Sequence, residues 1–579
     1  MMKFPIPLNR ELISTARWVL GPKHSKYLFF GTAGQVMVSG LDLIFLALIS
    51  PFVLSLSGGS TSTTYSLFGV VTLSSSMIFV LIIAIVILKN LSALLLQRKI
   101  LNVFAVREAE VGTALVQASI FEKPDSATSA HSSELLQTFT SVIISLFSGM
   151  FRPIIAFSGD FSTLIAVIFG LLIINPEVAL LAMVYFGITG AIMIRQIGRR
   201  QQRIGREALE VGRESLRTFT EIRLMGRELK FAHQEGNSLE KLHKQRLLAA
   251  RLQASSTFIN ATPRYLLELM LISGIGGLVP FIQHFQPDKP VLPTLGLLVA
   301  AGYRILPSLN LTIITVGNFR NSIPLLNRIN ELAERFNIRN EPLVFAQTQQ
   351  ITDFSNFDGT LIFRGVCFTY ANAGKPVFQD FNLEVPEKRT VLIRGNSGSG
   401  KTTFVGLASG VLLPQSGEVL MRTKDGERSL DQRVRGISYL SQDVPLLDET
   451  FAYNITLGAH DESGMERVHT VAKEAGIYDR IVNSENGFQT AIGENGAKLS
   501  AGERQRLGIA RSLYSSPGLL IMDEPTANLD PDSEQVVWQT LSNLKGKLTI
   551  LLVSHREVPA YVFHESVGIS TQTREAAND

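Results

Sequence analysis

The sequence predicts two unlike folds on one chain, an α-helical membrane domain followed by an α/β domain of the P-loop kind. Three observations predict it. Apolar stretches long enough to cross a bilayer occur about six times before residue 320. "GNSGSGKTT" at 395–403 has the spacing of a phosphate-holding loop. Further on, "GLLIMDEP" is an apolar strand that ends in two acids.

Composition agrees with this division. Hydrophobic residues make up 46% of 579 and charged residues 18%, where soluble domains carry about a quarter charged. A net charge of +4 is small for this length and argues against a nucleic-acid partner. The one cysteine, Cys367, excludes an internal disulfide and reads as a small core residue in the strand "GVCFTY". The nine histidines show no metal-binding spacing. The first 26 residues lack a short apolar core with a cleavage site, so no removable leader is expected.

The six spans are placed near 27–57, 64–96, 138–174, 178–196, 256–284 and 291–320. Between 195 and 251 there are 14 Lys and Arg, whereas the connections "SLSGGSTSTT", "NPE" and "HFQPDKP" hold one lysine together. That asymmetry puts both termini and the loops 97–137 and 197–255 in the cytoplasm. These loops mix apolar and charged residues at helical spacing, which predicts a stalk of long helices leaving the membrane. The membrane domain with its extensions covers 1–335, a polar linker 336–357, and the α/β domain 358–579.

The loop follows the β-branched run "RTVLIRG" and precedes a helix, the context its pattern requires. Gly395, Gly398 and Gly400, with Asn396, Ser397, Ser399 and Thr403 between and after them, let backbone N–H groups turn towards phosphate oxygens. Lys401 is expected to reach the β- and γ-phosphates, and the Thr402 hydroxyl to ligate Mg²⁺. The acids Asp523 and Glu524 end a strand, where ligands of a parallel sheet collect. Asp523 is expected to hold Mg²⁺ through water and Glu524 to polarise the attacking water. His555 ends the strand "TILLVSH" and is placed to contact the γ-phosphate.

These motifs resemble those of the ATP-binding cassette proteins. "LSAGERQRLGIAR" at 499–511 resembles the family signature LSGGQ. The resemblance implies that Tyr370 stacks on adenine, that Gln442 links Mg²⁺ to the membrane domain, and that Asp530 in "ANLD" lies in the loop crossing a dimer interface. It also implies that Ser500, Gly502 and Glu503 approach the γ-phosphate held by a partner. Ala501 and Glu503 stand where glycine and glutamine are usual, and the chain ends 24 residues after His555. Membrane domain first, cassette second, is the order of the exporter-type half-transporter, a P-loop NTPase cassette on six transmembrane helices. "TPRYLLE", "YRILPSLN" and Asp42 followed by "ISPF" are similar to the branch that flips lipid-linked oligosaccharides and polysaccharides.

The resemblance implies ATP and Mg²⁺ as cofactors, a homodimer with a heterodimer still open, and residence in the bacterial inner membrane among its lipids. Helices near Asp125–Ser133 and Thr218–Leu224 are expected to transmit cassette closure. Arg152, Asp160, Arg264, Glu268 and Arg304 lie in or near apolar spans, where a central charge is costly. They are candidates for a cationic path for a phosphate-bearing, lipid-linked substrate. Mutual pairing is the alternative, since Arg264 and Glu268 are four apart on one helix. A peptide or drug exporter is the second functional reading; a non-transporting channel or regulator fits less well, because Glu524 and His555 are both present.

Overall fold

A computed structural model describes residues 10–57, 65–67, 71–73, 75–120, 132–174, 176–285, 291–338, 357–370, 374–396, 398–423, 426–430, 436–459 and 464–569. The side chains of Asp42 and Arg304 and the residue Ser397 lie outside this description, as do 125–131 and most of the expected linker. The described residues fall into two compact units, one up to residue 338 and the other from residue 357.

In the first unit the described residues form six long helical runs. They are α1 (Arg10–Ser57); α2 (Ser75–Ile120); a run from α3 (Ser132–Gln137) through α4 (Ile143–Leu146) to α5 (Arg152–Ile174); α6 (Pro176–Leu224), followed by a single turn α7 (Gly226–Phe231); α8 (Glu235–Phe285); and α9 (Val291–Arg335). Among the described residues, Ser76–Ile120 and Ser133–Phe169 are long and apolar enough to cross a membrane. At 1.5 Å per residue the 49 residues of α6 reach about 73 Å, longer than the roughly 30 Å of a bilayer's hydrocarbon.

Two details depart from the expected spans. The second apolar stretch does not begin helical at 64. A two-stranded antiparallel ladder, β1 (Tyr65–Leu67) and β2 (Val71–Leu73), comes first, and α2 starts only at Ser75. Short apolar runs rich in Tyr, Val and Thr suit a strand as well as a helix, so periodicity alone does not separate them. The short helix expected near Thr218–Leu224 lies one turn later, as α7, because α6 runs straight through that segment and breaks at Met225 (φ −98°, ψ 18°).

Between α3 and α5, Thr138–Val142 and Phe147–Phe151 are π-helical. The core of this unit forms around them, with Phe104, Leu146, Phe147, Met150 and Phe151 all at most 2% exposed. Gly149 permits the close approach of α9, since a Cβ there would lie 2.5 Å from Ser322 Oγ.

The second unit holds two sheets. The antiparallel one has the order β4 (Phe378–Val385), β3 (Phe357–Phe368), β6 (Ser416–Thr423), β7 (Gly426–Ser429). The parallel one runs β11 (Glu565–Gly568), β5 (Thr390–Arg394), β10 (Thr549–Val553), β9 (Leu519–Asp523), β8 (Ile437–Leu440). All five residues of β10, "TILLV", are buried, as a central parallel strand covered on both faces demands. Around the sheets lie α10 (Lys401–Ala408), α11 (Phe451–Thr456), α12 (Gly464–Glu474), α13 (Tyr478–Val482), α14 (Ala501–Tyr514) and α15 (Pro531–Leu544).

Candidate functional site

Strand order assembles the site. β5, β10 and β9 are adjacent and parallel, so the loop after β5, the acids ending β9 and the histidine after β10 emerge at one edge, where such sheets collect ligands. Gly398 and Gly400 have φ of 80° and 92°, a region that glycine enters without strain. Gly395 leaves room for its own loop, because a Cβ there would meet Ser399 Oγ at 2.3 Å. Ser399 Oγ is buried with no hydrogen-bond partner among the described residues. Lys401 Nζ donates to the carbonyls of Gly395 (2.8 Å) and Asn396 (3.0 Å), which holds the ammonium across the loop. Thr402, the second residue of α10, is exposed, while Thr403 is buried.

Glu524 has a φ of 50°, unusual for a residue with a side chain. Its N–H donates to the Val553 carbonyl at 2.8 Å, and its carbonyl accepts from Ala527 N–H at 3.1 Å. These bonds turn the backbone sharply out of β9 and aim the carboxylate at the end of β10. There His555 Nδ1 lies 2.7 Å from Glu524 Oε1, so the two expected catalytic side chains are in contact. Burial, then the charge of Glu524, pushes the Asp523 carboxyl above its ordinary value, with Lys401 and a hydrogen bond from Tyr439 opposing.

Sequence reasoning missed Tyr439, which lies on β8 beside β9 and hydrogen-bonds Asp523. Arg556 is another: it donates to the carbonyls of Thr526 (3.1 Å) and Ala527 (2.6 Å), tying the loop after Glu524 to the loop that carries His555. The signal was present in both cases, as polar residues next to motif residues, but their partners lie on neighbouring strands. Tyr370 donates to or accepts from Thr403 Oγ1 at 3.1 Å and packs edge-on against Phe368, which fixes the tilt of its exposed ring. Gln442 is exposed two residues past the end of β8. Arg511 donates to the carbonyls of Asn454 and Pro445, pinning the segment after Gln442 to α14.

The signature variant has a local explanation. Ser500 is the N-cap of α14 and accepts from Glu503 N–H (3.2 Å), while Glu503 Oε2 accepts from Ser500 N–H (2.8 Å). This is a capping box, in which two orphan donors of the first turn are satisfied reciprocally. Glu503 Oε1 also accepts from Arg480 Nε at 2.7 Å. Gly502 must stay small, since a Cβ would meet Ser533 Cβ at 2.7 Å. Asp530 caps α15 by accepting from Ser533 N–H (3.0 Å), which lowers its carboxyl pKa. Glu503→Ala is expected to destabilise the start of α14 by about 1 kcal/mol, the usual value of a lost cap. Glu503→Gln keeps an acceptor and loses much less. Unfolding followed through Trp538 in a Trp18→Phe background would read the difference, since the chain has two tryptophans.

The charges expected along a substrate path mostly have a charged neighbour. Arg152 contacts Glu108 of α2 at 2.6 Å. Arg264 and Glu268 pair with each other along α8 at 3.3 Å and are exposed. Asp160 of α5 interacts electrostatically with Lys89 of α2. Arg304 belongs to α9, and its side chain is outside the description.

Comparison with known proteins bears on both units. The sequence pattern of the ABC transporter family matches residues 378–527. The ATP-dependent lipid A-core flippase of Chromobacterium violaceum is 40% identical over 202 residues, 34% of this chain and 34% of that protein. The flippase of the same name from Pasteurella multocida is 37% identical over 205 residues, 35% of each chain. That of Escherichia coli K12 is 37% identical over 199 residues, 34% of each. The matches thus span about a third of the length of these relatives. A bacterial Atm1-family ABC exporter, solved with ATP bound, superimposes with a TM-score of 0.69 at 18% identity, covering 93% of this chain and 92% of that one. Residues 378–527 therefore carry the pattern of the ABC transporter family, and the chain has the fold of an ABC exporter.

Proposed function

We propose that the chain is one half of a dimeric, ATP-driven flippase in the inner membrane of a bacterium, moving an amphipathic, lipid-linked saccharide across the bilayer. What carries this reading is the arrangement of Lys401, Asp523, Glu524 and His555 at the ends of three adjacent strands, with Glu524 in contact with His555. The likeness of the chain to lipid A-core flippases supports the cargo class.

In this mechanism Lys401 exchanges its loop carbonyls for the β- and γ-phosphates. Glu524, oriented by His555, takes the proton of the attacking water. Thr402, Asp523 and Gln442 offer hydroxyl, carboxylate and amide oxygens, a hard donor set that suits Mg²⁺. When bound, Mg²⁺ neutralises charge on the phosphates. Ser500 and Gly502 of a second copy complete each site. Every group this needs is present in one sequence, so a homodimer suffices. Reversing a switch from 1:99 to 99:1 takes about 5.5 kcal/mol of differential binding, supplied here by two nucleotides bound across the closed interface.

The test is ATP turnover in proteoliposomes titrated with lipid A-core, with plain phospholipid and with peptides. Stimulation by lipid A-core and by no peptide is expected. Stimulation by peptides alone would replace this cargo class with that of the second reading.

A further inference from the structure

The first helix is broken near its start. Gly21 adopts φ 70° and ψ 167°, and Pro22 follows it. Buried Arg107 of α2 donates from Nε to the Val19 carbonyl at 2.9 Å, satisfying an acceptor that the break removes from the helical ladder. Under the short arm before the break lies a cavity of about 240 Å³, walled by Leu12, Ala16, Leu20, Phe151 and Ile323. Apolar cavities of about 150 Å³ already take up hydrocarbon as large as benzene.

Two polar side chains stand on this otherwise apolar wall. One is Arg17. The other is Ser25, whose Oγ is buried with no hydrogen-bond partner among the described residues. Just past the break, Lys23 and Lys26 line a second concavity of about 540 Å³ with Tyr27 and Phe30. Arg17, Lys23 and Lys26 are exposed and form no ion pair among the described residues. A cation and an orphan hydroxyl on the wall of a hydrocarbon-sized slot suit a molecule with an anionic head and an alkyl tail, and Lys23 and Lys26 add positive charge on the outward face of the same helix.

We propose that the break in α1 binds an acidic phospholipid as a resident ligand, distinct from any cargo, with one acyl chain in the cavity, its phosphate on Arg17 and an ester oxygen accepting from Ser25, while Lys23 and Lys26 on the outward face of α1 draw anionic lipid towards the break. The site requires that the chain reside in a bilayer and is independent of what it transports. Each cation near an anionic membrane surface adds attraction of its own, so loss of three is a large change.

The test is native mass spectrometry of the full-length protein in mixed micelles titrated with dioleoylphosphatidylglycerol or dioleoylphosphatidylcholine. The wild type is expected to hold the glycerol lipid about tenfold or more tightly than the choline lipid. In the triple variant Arg17→Ala, Lys23→Ala, Lys26→Ala that ratio is expected to fall to near one. Ala16→Phe, which fills the slot and keeps the charges, is expected to weaken phosphatidylglycerol binding as well. Equal retention of the two lipids by the wild type would overturn the proposal. So would displacement of phosphatidylglycerol by glycerol 3-phosphate or inorganic phosphate, which would leave a headgroup site with no role for the cavity.

Discussion

Glu524→Gln is expected to cut ATP turnover by about 10²–10⁴-fold, the range contributed by a positioned general base, while ATP still binds. The substitution preserves the shape at the end of β9 and the backbone bond from residue 524 to the Val553 carbonyl. What it removes is the acceptor for a proton. The 2.7 Å contact with His555 gives a second, graded expectation. His555→Ala leaves Glu524 in place without its orienting partner, so turnover should fall by less than in Glu524→Gln. Steady-state hydrolysis beside direct nucleotide binding separates the two effects. A Glu524→Gln protein that turned over at the wild-type rate would remove this carboxylate from the mechanism.

Lys401→Ala is expected to act on binding instead. The ammonium is held over the loop by the carbonyls of Gly395 and Asn396, ready to be shared with phosphate. Truncating one partner of a hydrogen-bonded charge pair costs about 2–5 kcal/mol, which weakens ATP affinity by roughly 30- to several thousand-fold. Lys401→Arg keeps the charge but replaces a compact ammonium with a wide planar fork. It should therefore recover only part of the affinity. Titration with a fluorescent ATP analogue would give both values. Glu524→Gln and Lys401→Ala thus divide the site into a step that breaks the bond and a step that holds the nucleotide.

Much of the candidate site is legible in the sequence, because its parts are contiguous. The loop 395–403 and the strand ending in Asp523 and Glu524 each lie within about ten residues, and strand adjacency then brings them together. Glu503 shows how one residue supports two readings. Against the family signature it is a departure, yet Ser500 followed three residues later by an acid is the sequence mark of a capping box. What stays hidden is partnership over long separations. Nothing near Arg152 in the chain points to Glu108, nor anything near Glu503 to Arg480, because those pairs exist only once helices pack. The same holds for Tyr439, whose place beside Asp523 depends on the order of the parallel strands. The ladder at 65–73 was hidden for a different reason, since its short apolar run has no period that favours helix over strand.

The π-helical turns at Thr138–Val142 and Phe147–Phe151 also bear on how this chain can diverge from its relatives. A π turn accommodates an extra residue within a helix by bonding five residues back in place of four. Deleting one residue from either stretch would relax that turn to ordinary α geometry and leave the helix continuous. Adding one elsewhere would create a new bulge. Single-residue gaps inside this span are therefore cheap for the fold.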